Sequence, residues 1–248
     1  MNPIYPILSG MLAQERRLEV ISNNIANLGT PAYKRDFVLF SGFSPVKREA
    51  IDIPPVEATP TFGMIDDVIT DFSIGPIQVT GEPLDLAIDG TGFFAIETPQ
   101  GTRYTRSGNF TLDPEGKIVT PSGFPLLGEG GSIITPPEAE SINIDSTGKV
   151  VARTSAGLLE VGLIPIYEFA VQERLKKIGN NFYDAVDQQA TVSLTAAIRS
   201  GSLERANVNA PEELVAMIMA SRLYETSQRV IRSADEMLGY AVNEVGRL

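Results

Sequence analysis

The chain has 248 residues, of which 43% are hydrophobic, and it contains neither cysteine nor histidine. These absences exclude disulfides, thiolate metal sites and cysteine nucleophiles, and they remove the commonest general base and metal ligand. A formal net charge of −11 at pH 7 leaves no excess of lysine and arginine to neutralise phosphates, which argues against nucleic acid as a partner.

The N-terminal segment predicts an amphipathic helix. Between residues 4 and 28, apolar side chains recur on two positions of a seven-residue repeat, which Gln14 interrupts. The segment lacks the basic start and unbroken apolar core of a signal peptide, and no run of about 18 apolar residues predicts a membrane span. If the protein leaves the cytoplasm, we expect it to use another route.

The stretch 22–36, SNNIANLGTPAYKRD, predicts the end of this helix. Its asparagine amides can bond the last helical carbonyls, Gly29 can adopt a positive φ, and Pro31 cannot continue a helix. Local capping therefore accounts for most of the stretch.

The middle of the chain predicts strands and turns. Residues 41–73 are rich in proline and lack a steady period, which predicts an irregular, extended arm. From about 74 to 197, short apolar runs separated by Gly, Pro, Asp and Asn are typical of β structure. Asp113 and Asp145 each precede by three residues a glycine, Gly116 or Gly148, placed where a tight hairpin turn needs a positive φ.

The C-terminal segment predicts a helix from about residue 210 almost to the end, with Asn209 and Glu212 as a capping pair and Pro211 in the first turn. Large apolar residues recur every seven positions, flanked one position earlier by a second set and three positions later by small residues that would let a partner helix approach closely. The three sets are Met217, Tyr224, Ile231, Leu238 and Val245; Leu223, Val230 and Met237; and Ala220, Ser227, Ala234 and Ala241.

Matches to catalytic motifs are short and misplaced. Residues 90–95 imitate a dinucleotide-binding fingerprint, but the residues after the glycines predict a strand rather than the helix that would hold a pyrophosphate. Two Ser-x-x-Lys matches, 44–47 and 146–149, lie in the arm and in a predicted hairpin turn. We therefore expect no enzyme activity, no catalytic residue, no cofactor and no metal site.

The apolar seams of the terminal helices need a partner. Burying the N-terminal seam would contribute roughly 10–20 kcal/mol, which is less than the entropy lost in ordering about 25 residues at about 1.5 kcal/mol each. Either the two helices pair within one chain, or they complete themselves against neighbouring copies, as in a filament. Periodicity leaves both hypotheses open.

Four motifs, in this order, resemble the flagellar axial proteins, the rod and hook family of the bacterial flagellum. They are SNNIAN at 22–27 followed by Thr30-Pro31 and Tyr33-Lys34, GEPLDLAIDGTGFF at 81–94, YTRSGNF at 104–110 and GSLERANV at 201–208. The length is similar to that of basal-body rod proteins, and LLGEGGSI at 126–133 favours the proximal rod member, with the distal one as the alternative. Ala32 stands where members usually carry glycine, so we expect Gly29 to supply the positive φ.

The resemblance implies an α+β fold in three parts. Terminal helices at 1–36 and 198–248 would form a coiled-coil axial domain, 37–73 a connecting arm and 74–197 a β-rich outer domain. The function implied is a structural subunit of the basal-body rod, self-assembling through its terminal helices into the axial tube that transmits torque from motor to hook. The alternatives are a distal rod or hook-type subunit, or a β-rich ligand-binding protein with a coiled-coil dimerisation module.

The resemblance also implies the partners and the location. The partners would be copies of the chain, neighbouring rod proteins and the flagellar type III export apparatus, with neither nucleic acid nor a small-molecule substrate. The location would be the periplasm-spanning rod, reached without a cleavable signal peptide.

The predicted subunit interface follows the seams and three asparagines. Asn23, Asn24 and Asn27 would bond backbone groups of adjoining subunits, whereas local capping is the alternative use of their amides. The interface comprises Ile4, Ile7, Met11, Leu18, Ile21, Asn23, Asn24, Ile25, Asn27, Leu28, Met217, Tyr224, Ile231, Ala234, Leu238 and Val245.

Overall fold

The computed structural model describes residues 4–41 and 64–245. They contain helix α1, Ile4–Ala26, helix α2, Ala210–Val245, and short strands between them, so the predicted α+β class is confirmed. The strands are β1 Asp36–Ser41, β2 Met64–Thr70, β3 Ile77–Val79, β4 Leu86–Asp89, β5 Phe94–Thr98, β6 Gly101–Thr105, β7 Thr111–Leu112, β8 Ile118–Val119, β9 Leu127–Gly128, β10 Gly131–Ser132, β11 Ser141–Ile144, β12 Lys149–Thr154, β13 Gly157–Leu163, β14 Tyr167–Glu168, β15 Leu175–Lys177, β16 Phe182–Ala185, β17 Thr191–Val192, β18 Ala197–Ser200 and β19 Ser202–Glu204. Neither α1 nor α2 has the length and apolar character that crossing a membrane requires.

The chain divides into two compact units. The helical unit comprises Met1–Ala26, Asp36–Asp71 and Asn209–Leu248, and the β unit comprises Asn27–Arg35 and Phe72–Val208. The β unit therefore includes residues 27–35 and 198–208, which the predicted domain bounds assign to the helical ends. The predicted irregular arm, 37–73, contains most of β1 and all of β2, which pair with each other, so its described ends are regular strands. Its residues 42–63 lie outside the described residues.

The helical unit is held together by contacts of α1 with α2 and with the antiparallel pair β1–β2. Ala13, Val20 and Ile21 of α1 are buried, as is Ala220 of α2. Because α1 is the element against which α2 packs, the covered face of α2 faces α1. This contact favours pairing within one chain, and coiled-coil geometry stays a prediction.

Two hydrophobic clusters form the interior of the β unit. The larger cluster contains Phe94, whose ring packs edge to face against that of Phe110, with 5.4 Å between the ring centroids. The smaller cluster contains Phe93 together with Phe169 and Tyr183. Successive residues of an extended chain point to opposite faces, so the pair Phe93–Phe94 supplies both clusters.

The ends of the β unit are closed by strands far apart in sequence. Strand β18 pairs with β4, and β19 pairs with β3, each antiparallel. These pairings place residues 197–204 in the β unit, which is the physical reason that its boundary lies beyond the predicted one at 197.

The two predicted Asp-x-x-Gly hairpin turns are confirmed. The Asp145 carboxylate accepts the amide N–H groups of Thr147 and Lys149, and Gly148 has φ +88°. Asp113 accepts two amides in the same way, and Gly116 has φ +80°. The hydroxyl of Thr147, followed by these amides, holds the pKa of Asp145 below its ordinary value.

Candidate functional site

Three charged side chains from three of the sequence motifs meet inside the β unit. Lys34, Arg106 and Glu204 are at most 3% exposed. The Nζ of Lys34 lies 2.6 Å from Oε1 of Glu204, and the Nε of Arg106 lies 2.6 Å from Oε2. We call these three residues the charged network. It joins two cations to one carboxylate, and backbone carbonyls accept further hydrogen bonds from both cations.

Backbone groups supply the remaining hydrogen bonds of the Lys34–Glu204 pair. Lys34 donates a second hydrogen bond to the carbonyl of Ser73 at 2.6 Å. The amide of Gly75 donates to Oε1 of Glu204 at 2.7 Å. A Cβ atom at Gly75 would lie 2.1 Å from the carbonyl oxygen of Arg205, so only glycine allows this approach.

Arg106 links the network to the second motif. Its Nη1 donates to the carbonyl of Gly92 at 2.8 Å and its Nη2 to that of Gly90 at 2.6 Å. Nη2 also donates to the carbonyl of Ile88 at 3.4 Å, so the planar guanidinium bonds one carboxylate and three carbonyls in a fixed geometry. All four sequence motifs consequently contribute to one buried site.

The end of the first motif adopts an unexpected backbone conformation. Ala32 has φ +52°, whereas Gly29 has no positive φ, so the prediction that Gly29 takes this role is wrong. The amide of Ala32 donates to the carbonyl of Glu204 at 2.8 Å, and the Ala32 side chain is buried. This hydrogen bond to β19 and the burial of the side chain hold a conformation that alanine alone disfavours.

The hairpin β15–β16 holds the same segment from another side. Lys177 donates to the carbonyl of Lys34, and its Nζ lies 4.5 Å from the centre of the Tyr33 ring. Asn181, at φ +58°, donates its side-chain amide to the carbonyl of Pro31 at 2.9 Å. Residues 31–34 are therefore a structural part of the β unit.

We expect Gly29→Ala to leave the free energy of unfolding unchanged or to raise it by about 0.4–1 kcal/mol, because the substitution restricts the unfolded chain. A Cβ atom at Gly29 would meet nothing within 4 Å. Thermal unfolding of the full chain measures the effect. Gly148→Ala is the control that should destabilise, since its Cβ would lie 2.4 Å from the carbonyl oxygen of Ile164. A clear loss of stability in Gly29→Ala would indicate that the folded protein requires a positive φ at Gly29.

The predicted interface residues of the helices lie mainly on covered faces. Ile21 is buried, and Met11, Leu18 and Ile25 of α1 are half-buried, as are Met217, Tyr224, Ile231 and Ala234 of α2. Leu28 is half-buried in the β unit. Ile4, Ile7, Leu238 and Val245 lie in the two helices, but the structure does not describe their side chains. Since α1 covers this face of α2, its role between subunits stays a prediction.

The three asparagines differ in their surroundings. Asn24 is buried, donates its amide to the carbonyl of Asp36 at 2.8 Å and accepts the Asp36 N–H at 3.0 Å. Asn27 accepts the hydroxyl of Thr30 at 3.1 Å. Asn23 is exposed. The amides of Asn24 and Asn27 thus act inside the chain, and bonds to adjoining subunits stay a prediction.

A second apolar face of α2 is exposed. Its five large side chains are 47–75% exposed, and we call them the outer stripe. The outer stripe comprises Met219, Leu223, Val230, Met237 and Tyr240. Sequence reasoning chose the neighbouring seam instead, although the seven-residue spacing of Leu223, Val230 and Met237 was the signal for this one. Large exposed apolar side chains grouped on one helix face are typical of an interaction surface.

The comparisons with known proteins cover both ends and the middle of the chain. Residues 4–34 match the family described as flagella basal body rod protein. Residues 87–152 match the flagellar hook protein FlgE/F/G D1 domain, and residues 199–244 match the flagellar basal body rod FlgEFG protein C-terminal family. Among residues 4–41 and 64–245, no group of three or more acidic side chains is arranged to hold a metal ion.

Full-length relatives carry the same description. The chain is 36% identical to the flagellar basal-body rod protein FlgG of Bacillus subtilis, with 98% of both chains covered. It is 33% identical to the flagellar basal-body rod protein FlgF of Caulobacter vibrioides, covering 100% of this chain and 99% of the relative. It is 32% identical to FlgG of Borreliella burgdorferi over 98% of each chain. This chain therefore belongs to the family of flagellar basal-body rod proteins.

Proposed function

We propose that the chain is a structural subunit of the flagellar rod that assembles with its copies through the outer stripe of α2. The family is structural, so the chain is not an enzyme, and its place is the basal body with other rod components as partners. This choice of assembly surface is supported by one observation. The outer stripe is exposed, whereas α1 already covers the neighbouring face of α2.

The physical argument is one of burial. Covering the exposed part of each outer-stripe side chain contributes roughly 1 kcal/mol, or about 5 kcal/mol for the five. A second copy is the partner that fits, since each subunit carries the same stripe on α2 and the exposed Leu8 and Leu12 on α1. A contact between different surfaces of identical chains repeats along a helix when its rotation does not close a ring, and this repetition builds a tube.

The proposal includes export of the chain through the flagellar type III apparatus, without a cleavable signal peptide. Torque transmission from motor to hook is the corresponding mechanical role. A β-rich ligand-binding protein with a dimerisation module is the alternative, and a subunit that stays dimeric when rods should form would favour it.

The test is Val230→Asp, which places a carboxylate in the middle of the outer stripe. We expect the monomer to keep its thermal stability, because Val230 is 47% exposed, while rods and swimming are lost in cells that express only this variant. Arg232→Asp, which introduces the same side chain two residues away outside the stripe, is the matched control and should assemble. The amount of secreted subunit is measured in parallel. Normal rods with Val230→Asp would exclude the outer stripe as the assembly surface.

A further inference from the structure

The chain passes four times between the two units, at 26/27, 35/36, 71/72 and 208/209. Buried or half-buried polar side chains bond the residues next to all four connections in the helical unit, and those next to three of them in the β unit. We infer that these polar clusters distribute mechanical load, so that a force between the helical unit and the β unit is shared by several connections. The inference rests on the proposed function only for its biological use.

In the β unit, Asn207 and Lys34 bring three chain segments together. Asn207 accepts the backbone N–H of Arg35 at 2.7 Å, and its amide donates to the carbonyl of Ser73 at 3.2 Å and to the Ser73 hydroxyl at 3.0 Å. Lys34 bonds the carbonyl of Ser73 and the carboxylate of Glu204. We call Lys34, Arg35, Ser73, Glu204 and Asn207 the β-side cluster. It spans the residues beside connections 35/36, 71/72 and 208/209.

In the helical unit, Asn24 and Asp36 form a corresponding arrangement. Asn24 bonds both backbone groups of Asp36, and its amide lies 3.4 Å from the buried carboxylate of Glu213. The hydroxyl of Thr70 donates to the Asp36 carboxylate at 2.6 Å. We call Asn24, Asp36, Thr70 and Glu213 the helix-side cluster. Each of its members lies within five residues of a different connection.

The mechanical consequence follows from chain connectivity. Without such clusters, force that reaches the β unit through the peptide chain at 208/209 would act directly on β19 and not on the segments at the other connections. Because Asn207 and Glu204 are bonded to residues beside 35/36 and 71/72, the same force also acts on these two segments. Several hydrogen bonds must then break together rather than one after another, which slows rupture under load.

The absence of cysteine allows a direct test. Ser233→Cys in α2 and Ser122→Cys in the β unit, both at exposed positions, provide handles for pulling single full-length molecules across the two units. In this background, Asn207→Ala removes three hydrogen bonds and should shorten the lifetime under constant force roughly tenfold or more. Thr70→Val removes one and should shorten it roughly threefold. Asn143→Ala, at an exposed asparagine of β11, is the matched control and should change nothing.

A second pulling geometry separates load sharing from general stability. Handles at Ser122→Cys and Ser155→Cys both lie in the β unit, and here Asn207→Ala should leave the lifetime unchanged. An effect of Asn207→Ala equal in both geometries, or equal to that of Asn143→Ala across the units, would overturn the inference. The measurement uses monomers, so its result does not depend on rod assembly, which Val230→Asp tests separately.

Discussion

Replacing Glu204 by glutamine is expected to lower the free energy of unfolding of the β unit by about 3–5 kcal/mol, because two buried cations lose the charge of the carboxylate that they share. Lys34 and Arg106 both lie 2.6 Å from that carboxylate. Chemical denaturation of the full chain measures the loss. Lys34→Met should destabilise less, since it leaves Arg106 and Glu204 as one matched pair and removes one donor to the carbonyl of Ser73.

The control for Glu204→Gln is the same substitution in an exposed ion pair. Glu160 lies 2.7 Å from Lys149, and its side chain is 60% exposed. Glu160→Gln should change stability by at most about 1 kcal/mol, because solvent screens the pair. Equal effects of Glu204→Gln and Glu160→Gln would show that the charged network does not stabilise the β unit. If Lys34→Met lowered the free energy of unfolding more than Glu204→Gln, Glu204 would not be the residue on which both cations of the charged network depend.

Replacing Ala220 by leucine is the second substitution with a large expected effect. Ala220 is 1% exposed on the face of α2 that packs against α1, so three additional carbon atoms must displace a neighbouring helix. We expect a loss of about 1–3 kcal/mol in the helical unit. In an assembled rod every subunit carries the same defect, so rods and swimming should be lost even where the monomer still folds.

Ala234 provides a graded comparison for Ala220. It lies in the same small-residue stripe, fourteen positions further along α2, but it is only half-buried. Ala234→Leu should therefore reduce the thermal stability of α2 less than Ala220→Leu, and rods should form at least in part. Secretion of both variants is measured, so that failed export is not mistaken for failed assembly. Unchanged unfolding of Ala220→Leu would mean that this stripe does not face α1.

The position of the charged network could not be predicted from residue patterns. Lys34 and Glu204 are 170 positions apart in the sequence. Lysine and glutamate side chains ordinarily face solvent, so neither residue by itself predicts a buried ion pair. The resemblance to rod and hook proteins marked the motifs that contain Lys34, Arg106 and Glu204, but not the contacts among these side chains. Such contacts arise only when β19 pairs with β3 and residues 31–34 pack beside them.

The helix faces illustrate a similar division. The seven-residue periodicity predicted α1 and α2 and the existence of apolar seams, since these depend on spacing along one helix. The choice between two adjacent seams depends on what covers each one. The structure places Met217, Tyr224 and Ile231 on the covered face and leaves Val230 and Met237 exposed.

By itself the sequence determined those features that depend on near neighbours along the chain: the start of α2 at Ala210, the end of α1 near Asn27, the two Asp-x-x-Gly turns and the α+β class. Its motifs also determined the family, whereas the assignment to the proximal rod member stays a prediction. Only the tertiary structure decided the positive φ of Ala32, the inclusion of residues 27–35 in the β unit and the burial of Glu204. The physical reason is that capping, turn geometry and helical periodicity act over a few residues, whereas burial and ion pairing act between segments that only the completed fold brings together.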